Sequence, residues 1–269
     1  MIRPLILITN DDGIASPGIR AAVRAVEGLG YILVAAPAVQ QSGMGRSFPM
    51  EKDTGVIDST WMQTGRGRTD GDRIPAYGVH GSPAQAVAHA VMELTDRRPD
   101  LCISGVNYGE NLGMTVTCSG TLGAAFEAVS LGIHAIAVSV AADLSIQRRD
   151  DLPEAPDTGG WQTAETILRR MTERVLTQGF PAGTDILNIN LPADAPDPED
   201  YRITTLSRQN YFNFLKPGKR DYARPFQLPS KKLVDEEALE KDSDIYALYV
   251  EKKISVTPLS VQMSVQLTQ

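Results

Sequence analysis

The feature that most constrains this fold is the alternation of short apolar runs with helical segments over the first 190 of the 269 residues. Leu5–Thr9 and Tyr31–Ala36 are short apolar runs, which is typical of strands buried on both faces. Between them, Ile19–Leu29 places small apolar residues on one helical face, and we expect Gly30 to end that helix. A strand, a helix and a strand of these lengths form a βαβ unit, so the pattern predicts a parallel sheet.

The same cycle recurs further along the chain. The predicted helices are Ala84–Asp96, Ser119–Leu131 and a long amphipathic helix over about Gly160–Thr177. The predicted strands are Asp100–Ser104, Ala135–Val140 and Asp185–Asn190. Ser82 is the expected N-cap of the first of these helices, because Pro83 follows it at the first helical position. Together these segments predict an α/β fold with a doubly wound sheet.

Two stretches interrupt this alternation. Residues 51–78 carry glycines and mixed charges, and we interpret them as a hairpin-like excursion with its tip at Gly65–Asp72. After Pro196 the chain has an aromatic cluster at residues 211–214, a helix-prone charged stretch at Lys231–Asp242, and alternating segments near its end.

The two alternating segments, Ile254–Thr257 and Val261–Leu267, predict strands, and a β-rich arm fits this region better than another βαβ unit. We therefore expect a single domain over residues 1–269, with an α/β core at 1–195 and a C-terminal arm at 196–269. Such arms often pair with a second subunit.

Composition limits the functional classes. The formal net charge is −7, from 26 basic and 33 acidic residues, so the chain lacks the basic footprint of a protein that binds a nucleic-acid duplex. The only two cysteines, Cys102 and Cys118, form no zinc motif, and we interpret both as reduced core residues. The sequence shows no signal peptide and no membrane span, which predicts a cytoplasmic protein.

The strongest functional signal is the segment Thr9–Gly13, at the carboxyl end of the first predicted strand. In open α/β sheets, ligands bind outside these strand ends. The adjacent carboxylates of Asp11 and Asp12 repel each other unless a cation lies beside them, and oxygen donors without His or Cys favour Mg²⁺ or Mn²⁺. The alternative is a capped turn, because Asn, Asp and Gly are also turn formers.

Two further loops and a helix start follow neighbouring strands. The loop Gln40–Ser47 carries Ser42, a neutral oxygen donor, and Arg46, which either steers a phosphate or is solvated. The loop from Ser104 to Gly113 holds three glycines and two amides. Ser119-Gly120-Thr121 then opens a helix whose free N–H groups form a natural phosphate seat, against the simpler interpretation of a helix cap.

Several established motifs are missing. The sequence contains no GxxxxGK[ST] loop and no GxSxG elbow, and Gly43-Met44-Gly45 is not followed by the third glycine of a dinucleotide fingerprint. The three histidines, His80, His89 and His134, each have a structural explanation, so we expect no catalytic histidine. The adjacent acidic pair and the lack of any lysine between Lys52 and Lys216 disfavour haloacid-dehalogenase-type phosphatases, and the lysine gap also disfavours phospho-receiver domains.

Taken in order, these motifs resemble the SurE (survival protein E) family of metal-dependent 5′/3′-nucleotidases. The segments that carry the resemblance are Leu7–Gly13 with Pro17-Gly18-Ile19, Pro37 with Ser42-Gly43, Ser104–Asn107 with Gly109 and Asn111–Gly113, Ser119–Thr121 with Ala124, Ala125 and Glu127, Leu187–Pro192, and Ser255–Leu259. The resemblance implies a Rossmann-like three-layer α/β/α sandwich whose C-terminal arm is exchanged between the subunits of a homodimer or homotetramer.

The resemblance also implies roles for individual residues. One Mg²⁺ or Mn²⁺ per subunit would be held by Asp11, Asp12, Ser42 and Asn107. Substrate and phosphate would contact Asn10, Gly43, Asn111, Ser119, Gly120 and Thr121. The expected reaction is hydrolysis of nucleoside 5′-monophosphates, with 3′-monophosphates as a second candidate substrate and Asp11 or Asp12 as general base. The alternative is a non-catalytic regulatory module that binds a metal or a nucleotide.

Overall fold

The computed structural model describes residues 3–63, 73–143, 152, 154, 161–194 and 197–264. Its main element is a nine-stranded sheet with the order β3-β4-β2-β1-β5-β6-β7-β11-β8. The strands of this sheet are β1 Leu5–Thr9, β2 Tyr31–Pro37, β3 Ile57–Gln63, β4 Arg73–Val79, β5 Leu101–Tyr108, β6 Ala135–Val140, β7 Ile186–Leu191, β8 Tyr201–Ile203 and β11 Ile254–Leu259. A separate two-stranded sheet pairs β9 Phe212–Phe214 with β10 Ser230–Lys232.

The centre of the main sheet is parallel. Strands β4, β2, β1, β5, β6 and β7 pair in parallel with their neighbours, whereas β3 and β11 run antiparallel to β4 and β7. The prediction of an α/β fold with a mostly parallel sheet is therefore confirmed. Strands β8 and β11 both lie beyond residue 195, so the C-terminal part of the chain extends the main sheet.

Helices cover both faces of the sheet. The helices are α1 Pro17–Val26, α2 Pro83–Glu93, α3 Gly120–Ser130 and α4 Gln162–Gln178, with a short 3₁₀ helix at Met114–Thr117 and a π-helical turn at Tyr246–Val250. Alternate residues of β1 point to opposite faces. Ile6 and Ile8 therefore pack with α1 and α4, and Leu7 packs with α2 and α3. None of the described helices is long and apolar enough to cross a membrane.

The helix ends follow local chemistry with one correction. Ser82 caps α2 as predicted, in a capping box in which its side chain accepts from the Gln85 amide and Gln85 reaches back to the Ser82 amide. Gly30 does not end α1, because the helix stops at Val26 and the positive backbone φ of 86° falls on Gly28. Gly28 directly follows the C-cap Glu27, which is the position where helices favour glycine.

Strand β5 is longer than predicted. It continues past Ser104 to Tyr108 and is buried along its whole length. Gly105, Val106 and Asn107 therefore lie in the sheet, whereas the sequence pattern put them in a loop. The pairing of β5 with β6 shifts register between Ser104 and Asn107, and this irregularity hides the strand from a pattern with a period of two.

Residues 51–78 and the C-terminal region differ from expectation in detail. The hairpin is present as β3 and β4, and its predicted tip at Gly65–Asp72 lies outside the described residues. The helix expected from the helix-prone stretch Lys231–Asp242 is wrong, because Lys232 pairs with Phe212 in the β9–β10 sheet and residues 233–242 are not helical. Residues 261–264 are not a strand, and 265–267 lie outside the described part. Cys102 is buried, but Cys118 is exposed, so the expectation of two core cysteines is half wrong.

Candidate active site

The predicted loops converge on one cavity of about 800 Å³ at the carboxyl ends of β1 and β5. The core residues with predicted roles that line it are Asp11, Ser42, Gly43, Asn107, Asn111 and Ser119. These residues come from four separate segments of the chain. Parallel strands bring such segments to the same edge of the sheet, as the sequence predicts.

Asp11 is held at the start of helix α3. Its side chain is buried, and its Oδ1 accepts a hydrogen bond from the Thr121 hydroxyl at 2.7 Å. Gly120 makes this approach possible, because a Cβ at that position would lie 2.7 Å from Oδ2 of Asp11. Burial raises the pKa of Asp11 to about 6, and the hydrogen bonds from the side chain and backbone of Thr121 oppose that rise.

Asp12 is buried beside Asp11 but is held by different partners. Its Oδ2 accepts from the Tyr108 amide at 3.0 Å, and its Oδ1 accepts from Nε2 of Gln40 at 3.3 Å. Burial, followed by repulsion from Asp11, raises the pKa of Asp12 to about 8. Asp12 lines an adjoining pocket that shares Gln40 with the main cavity. The pair is therefore costly to ionise unless a positive charge joins it.

The neutral donors complete an all-oxygen set. Ser42 is exposed at the cavity. The side-chain nitrogen of Asn107 donates to the Gly109 carbonyl at 2.6 Å, and this hydrogen bond fixes the side chain. The Oδ1 atom of Asn107 is a hydrogen-bond acceptor and a possible metal ligand. Within the described ranges, no group of three or more His, Cys, Asp or Glu side chains is placed to hold a metal ion. Two carboxylates with hydroxyl and amide oxygens fit a hard cation such as Mg²⁺ or Mn²⁺.

The predicted phosphate residues are divided between the cavity and its support. Ser119 caps α3 by accepting from the Leu122 amide at 3.1 Å, and it also lines the cavity. Asn111 is fixed through its backbone, because its amide donates to Oδ1 of Asn190 at 2.7 Å and its carbonyl accepts from Asn188 and Asn190. Asn111 and Ser119 are thus presented to a ligand in fixed positions.

Other predicted residues lie behind the cavity. The amide of Asn10 is fully buried in the turn, where it donates to the Gly13 carbonyl at 3.1 Å and to the Ser16 hydroxyl at 2.6 Å. Gly120 and Thr121 contact Asp11 and are not among the residues that line the cavity. Arg46 pairs with Glu127 at 2.7 Å.

The three histidines contact side chains that do not line the main cavity. His80 pairs with Asp53 and Asp58, His89 pairs with Glu93, and His134 stacks on Phe180. None of the three lines the main cavity.

A model of the survival protein SurE family matches residues 6–213. The chain belongs to the SurE family. It is 39% identical over 258 residues to the 5′-nucleotidase SurE of Methanothrix thermoacetophila, which covers 95% of this chain and 92% of that protein. It is 38% identical to the 5′-nucleotidase SurE of Thermococcus gammatolerans, over 96% of this chain and 91% of that protein.

A solved structure of the SurE protein from Aquifex aeolicus has the same fold. It superposes with a TM-score of 0.71 and 27% identity, over 97% of this chain and 95% of that chain. The SurE resemblance drawn from the sequence motifs is thereby confirmed, and so is the fold class that it implied. The agreement extends beyond the residues of the family model, because the superposition covers nearly the whole chain.

The structure adds cavity residues that the SurE motifs did not reveal. Gln40, which contacts Asp12, and Glu110 line the cavity. A second group comes from the C-terminal part: Asn210, Phe212, Asn213, Phe214, Gln227 and Ser230. The aromatic cluster at residues 211–214 is visible in the sequence, but no spacing rule connects it to β1. Only the three-dimensional fold brings it to the cavity.

Proposed function

We propose that this protein is a metal-dependent nucleotidase that hydrolyses nucleoside 5′-monophosphates to nucleoside and phosphate, and 3′-monophosphates as well. The observation that carries the proposal is the buried Asp11–Asp12 pair, which lies at the start of α3 beside a cavity large enough for a nucleotide. Its relatives from Methanothrix and Thermococcus, which are named 5′-nucleotidases, support the same activity.

The chain's own groups have distinct tasks in this proposal. Asp11, Asp12, Ser42 and Asn107 would hold one Mg²⁺ or Mn²⁺ ion, and such an ion would supply positive charge for the phosphoryl oxygens and lower the pKa of a water. Asn111, Ser119 and Gly43 face the cavity and bind the phosphate. Asn10 stabilises the turn after β1, and Gly120 and Thr121 hold Asp11 in position. One carboxylate of the Asp pair accepts the water proton as general base.

The proposal also covers the cellular compartment and the oligomeric state of the protein. The two free cysteines support a reducing compartment such as the cytoplasm. We assign residues 1–195 to the α/β core and 196–269 to an arm that contributes to a homodimer or homotetramer. Exposed apolar side chains in that part, including Tyr222, Leu228 and Leu233, support an interface there.

The proposal is tested by measuring released phosphate from AMP, GMP and 3′-AMP, with Mg²⁺ or Mn²⁺ and again with a chelator. We expect release only with metal. Asp11→Asn should lower turnover by at least about 100-fold, the upper range for disturbing groups around a metal site. Asp194→Asn, an exposed aspartate without a hydrogen-bond partner among the described residues, is the matched control.

Full activity of Asp11→Asn at saturating metal would contradict the role of the pair. Nucleotide binding without phosphate release would instead favour the non-catalytic regulatory module. A circular dichroism spectrum identical to that of the unmodified protein must accompany either result, so that unfolding is not the cause.

A further inference from the structure

The cavity has a second wall that the phosphate chemistry does not use. This wall belongs to the segment from β9 to β10, residues 212–232, which we call the outer hairpin. Phe212, Phe214 and Gln227 of the outer hairpin line the same cavity as Asp11 and Ser119. A phosphate alone leaves most of a volume of about 800 Å³ unfilled, so the rest of the substrate has to lie against these residues.

The two aromatic residues of β9 are held differently. Phe212 packs edge-to-face on Tyr211, with ring centroids 5.0 Å apart, and belongs to a small apolar cluster. Phe214 lies two residues further on the same face of the strand and is 75% exposed. Phe214 therefore offers an open aromatic face at the cavity, which no described side chain covers with a ring contact.

Gln227 adds a polar group to the same wall. Its side chain is exposed at the cavity and makes no hydrogen bond with any other residue that the structure describes. An amide of this kind can donate and accept at once, as the edge of a nucleobase requires. An open aromatic face beside an unpaired amide is the usual arrangement for holding a planar, hydrogen-bonding ring.

The outer hairpin is fixed to the loop that carries Asn111. The Lys232 ammonium forms an ion pair with Glu110, whose side chain is fully buried next to Asn111. Lys232 also lies over the Tyr211 ring at 5.4 Å, and Asn210 bridges to Gly113. These contacts set the distance between the phosphate side of the cavity and the Phe214 side.

We propose that Phe214 and Gln227 are specificity-determining residues that bind the nucleobase of the substrate, Phe214 by stacking and Gln227 by hydrogen bonding to the base edge. This inference rests on the proposed nucleotidase function and adds the element that distinguishes a nucleotide from a simple sugar phosphate. It assigns recognition to a part of the chain remote in sequence from the acidic pair.

The test compares AMP with ribose 5-phosphate, which has the phosphate and the sugar but no base. In Phe214→Ala we expect KM for AMP to rise roughly five- to 150-fold, the range for loss of one stacked base, with kcat little changed. KM for ribose 5-phosphate should stay the same. Phe214→Tyr should retain the affinity for AMP, and Gln227→Ala should raise KM for AMP by a smaller factor.

Phe226→Ala is the matched control. Phe226 is an aromatic residue of the same hairpin, 47% exposed, which packs under Arg220 and does not line the cavity. The inference is overturned if Phe214→Ala affects both substrates equally, affects neither, or does no more than Phe226→Ala.

Failure of the proposed function gives a different result. If the unmodified protein hydrolyses neither substrate, the nucleotidase proposal fails, but binding of the base to Phe214 and Gln227 can still be tested. Calorimetric titration with adenosine then decides: binding that is weakened in Phe214→Ala but not in Phe226→Ala supports the site. Equal binding by all three proteins, or no binding at all, rejects it.

Discussion

The acidic edge of the sheet and the outer hairpin face the same cavity but are built in opposite ways. Asp11, Asp12 and Asn111 are at most 9% exposed, and each is fixed by hydrogen bonds from neighbouring strands or helices. Most of the outer hairpin is exposed, and the Lys232–Glu110 ion pair links it to the core. Under the proposals above, the groups that hold charge lie in the buried sheet, and the groups that contact the nucleobase lie outside it.

One substitution in each region tests how tightly that region is packed. Gly120→Ala places a Cβ 2.7 Å from Asp11, so Asp11 or α3 has to move. We expect a loss of about 1–3 kcal/mol of stability. Activity should fall by about 100-fold, as expected when a reacting group is displaced by about 1 Å. Phosphate release and thermal melting measure the two effects.

Gly218→Ala in the outer hairpin is the counterpart, because nothing lies within 4 Å of the new Cβ. Its stability should stay within about 0.5 kcal/mol of the unmodified protein, and its activity should be unchanged. If the two alanines cost the same, the contrast in packing between sheet edge and hairpin is wrong.

The charge of the sheet edge makes stability depend on pH. Burial raises the pKa of Asp12 from 3.8 to about 8, so the folded protein favours the protonated carboxyl. The contribution of this protonated form to folding stability is fully present below pH 3.8 and is lost as pH rises through 8. In the presence of a chelator, we expect Asp12→Asn to be more stable than the unmodified protein at pH 8. Denaturant unfolding at pH 5 and pH 8 measures this, and the gain should be larger at pH 8.

Metal should reverse that order. A cation that binds only the folded protein stabilises it, and Asp12→Asn should lose most of this gain. If Asp12→Asn is less stable than the unmodified protein at pH 8 without metal, the buried carboxylate does not lower the free energy of unfolding, and the prediction is wrong.

The ion pair between the two regions gives a smaller effect. Lys232→Met removes the cation from the buried Glu110 carboxylate, which keeps hydrogen bonds from the Ala142 amide at 3.2 Å and from Tyr211. We expect a loss of about 1–3 kcal/mol of stability. KM for AMP should also rise, because the outer hairpin loses its anchor. The double variant Glu110→Gln with Lys232→Met should recover part of the stability, which a double-mutant cycle measures.

Lys253→Met is the matched control for the ion pair. Lys253 pairs with Asp200 at 2.8 Å, but both side chains are more than one-third exposed. Its loss should cost less than about 1 kcal/mol. Equal costs for Lys232→Met and Lys253→Met would remove the argument that burial of Glu110 strengthens the link.

The same contrast explains what the sequence could predict. Ala135–Val140 and the Ser82 cap depend on neighbours in the chain, so a local pattern suffices for both. The placement of Asp11 depends on strand order, which the βαβ alternation supplies. Gln40 and Phe214 reach the cavity only because distant segments meet there, and no local period encodes such a meeting.

The wrong helix at Lys231–Asp242 has a related cause. Its residues favour a helix, but helix propensity differs by less than about 1 kcal/mol per residue among them and is easily overridden. Pairing of Lys232 with Phe212, together with the ion pair to Glu110, decides the strand instead. Tertiary contacts of this kind determine the secondary structure of the outer hairpin, but a local sequence pattern does not reveal them.

The smallest expected effect lies in a surface cluster that neither region contains. Nδ1 of His80 lies 2.7 Å from Asp53, its Nε2 lies 3.0 Å from Asp58, and these carboxylates raise the pKa of His80 above 6.5. The stabilisation is therefore present below pH 6.5 and is lost as pH rises through the raised pKa. His80→Gln should lower the melting temperature slightly at pH 6 in low salt, and less at pH 9 or in high salt. A decrease in melting temperature of the same size at both pH values would mean that packing rather than charge stabilises the cluster.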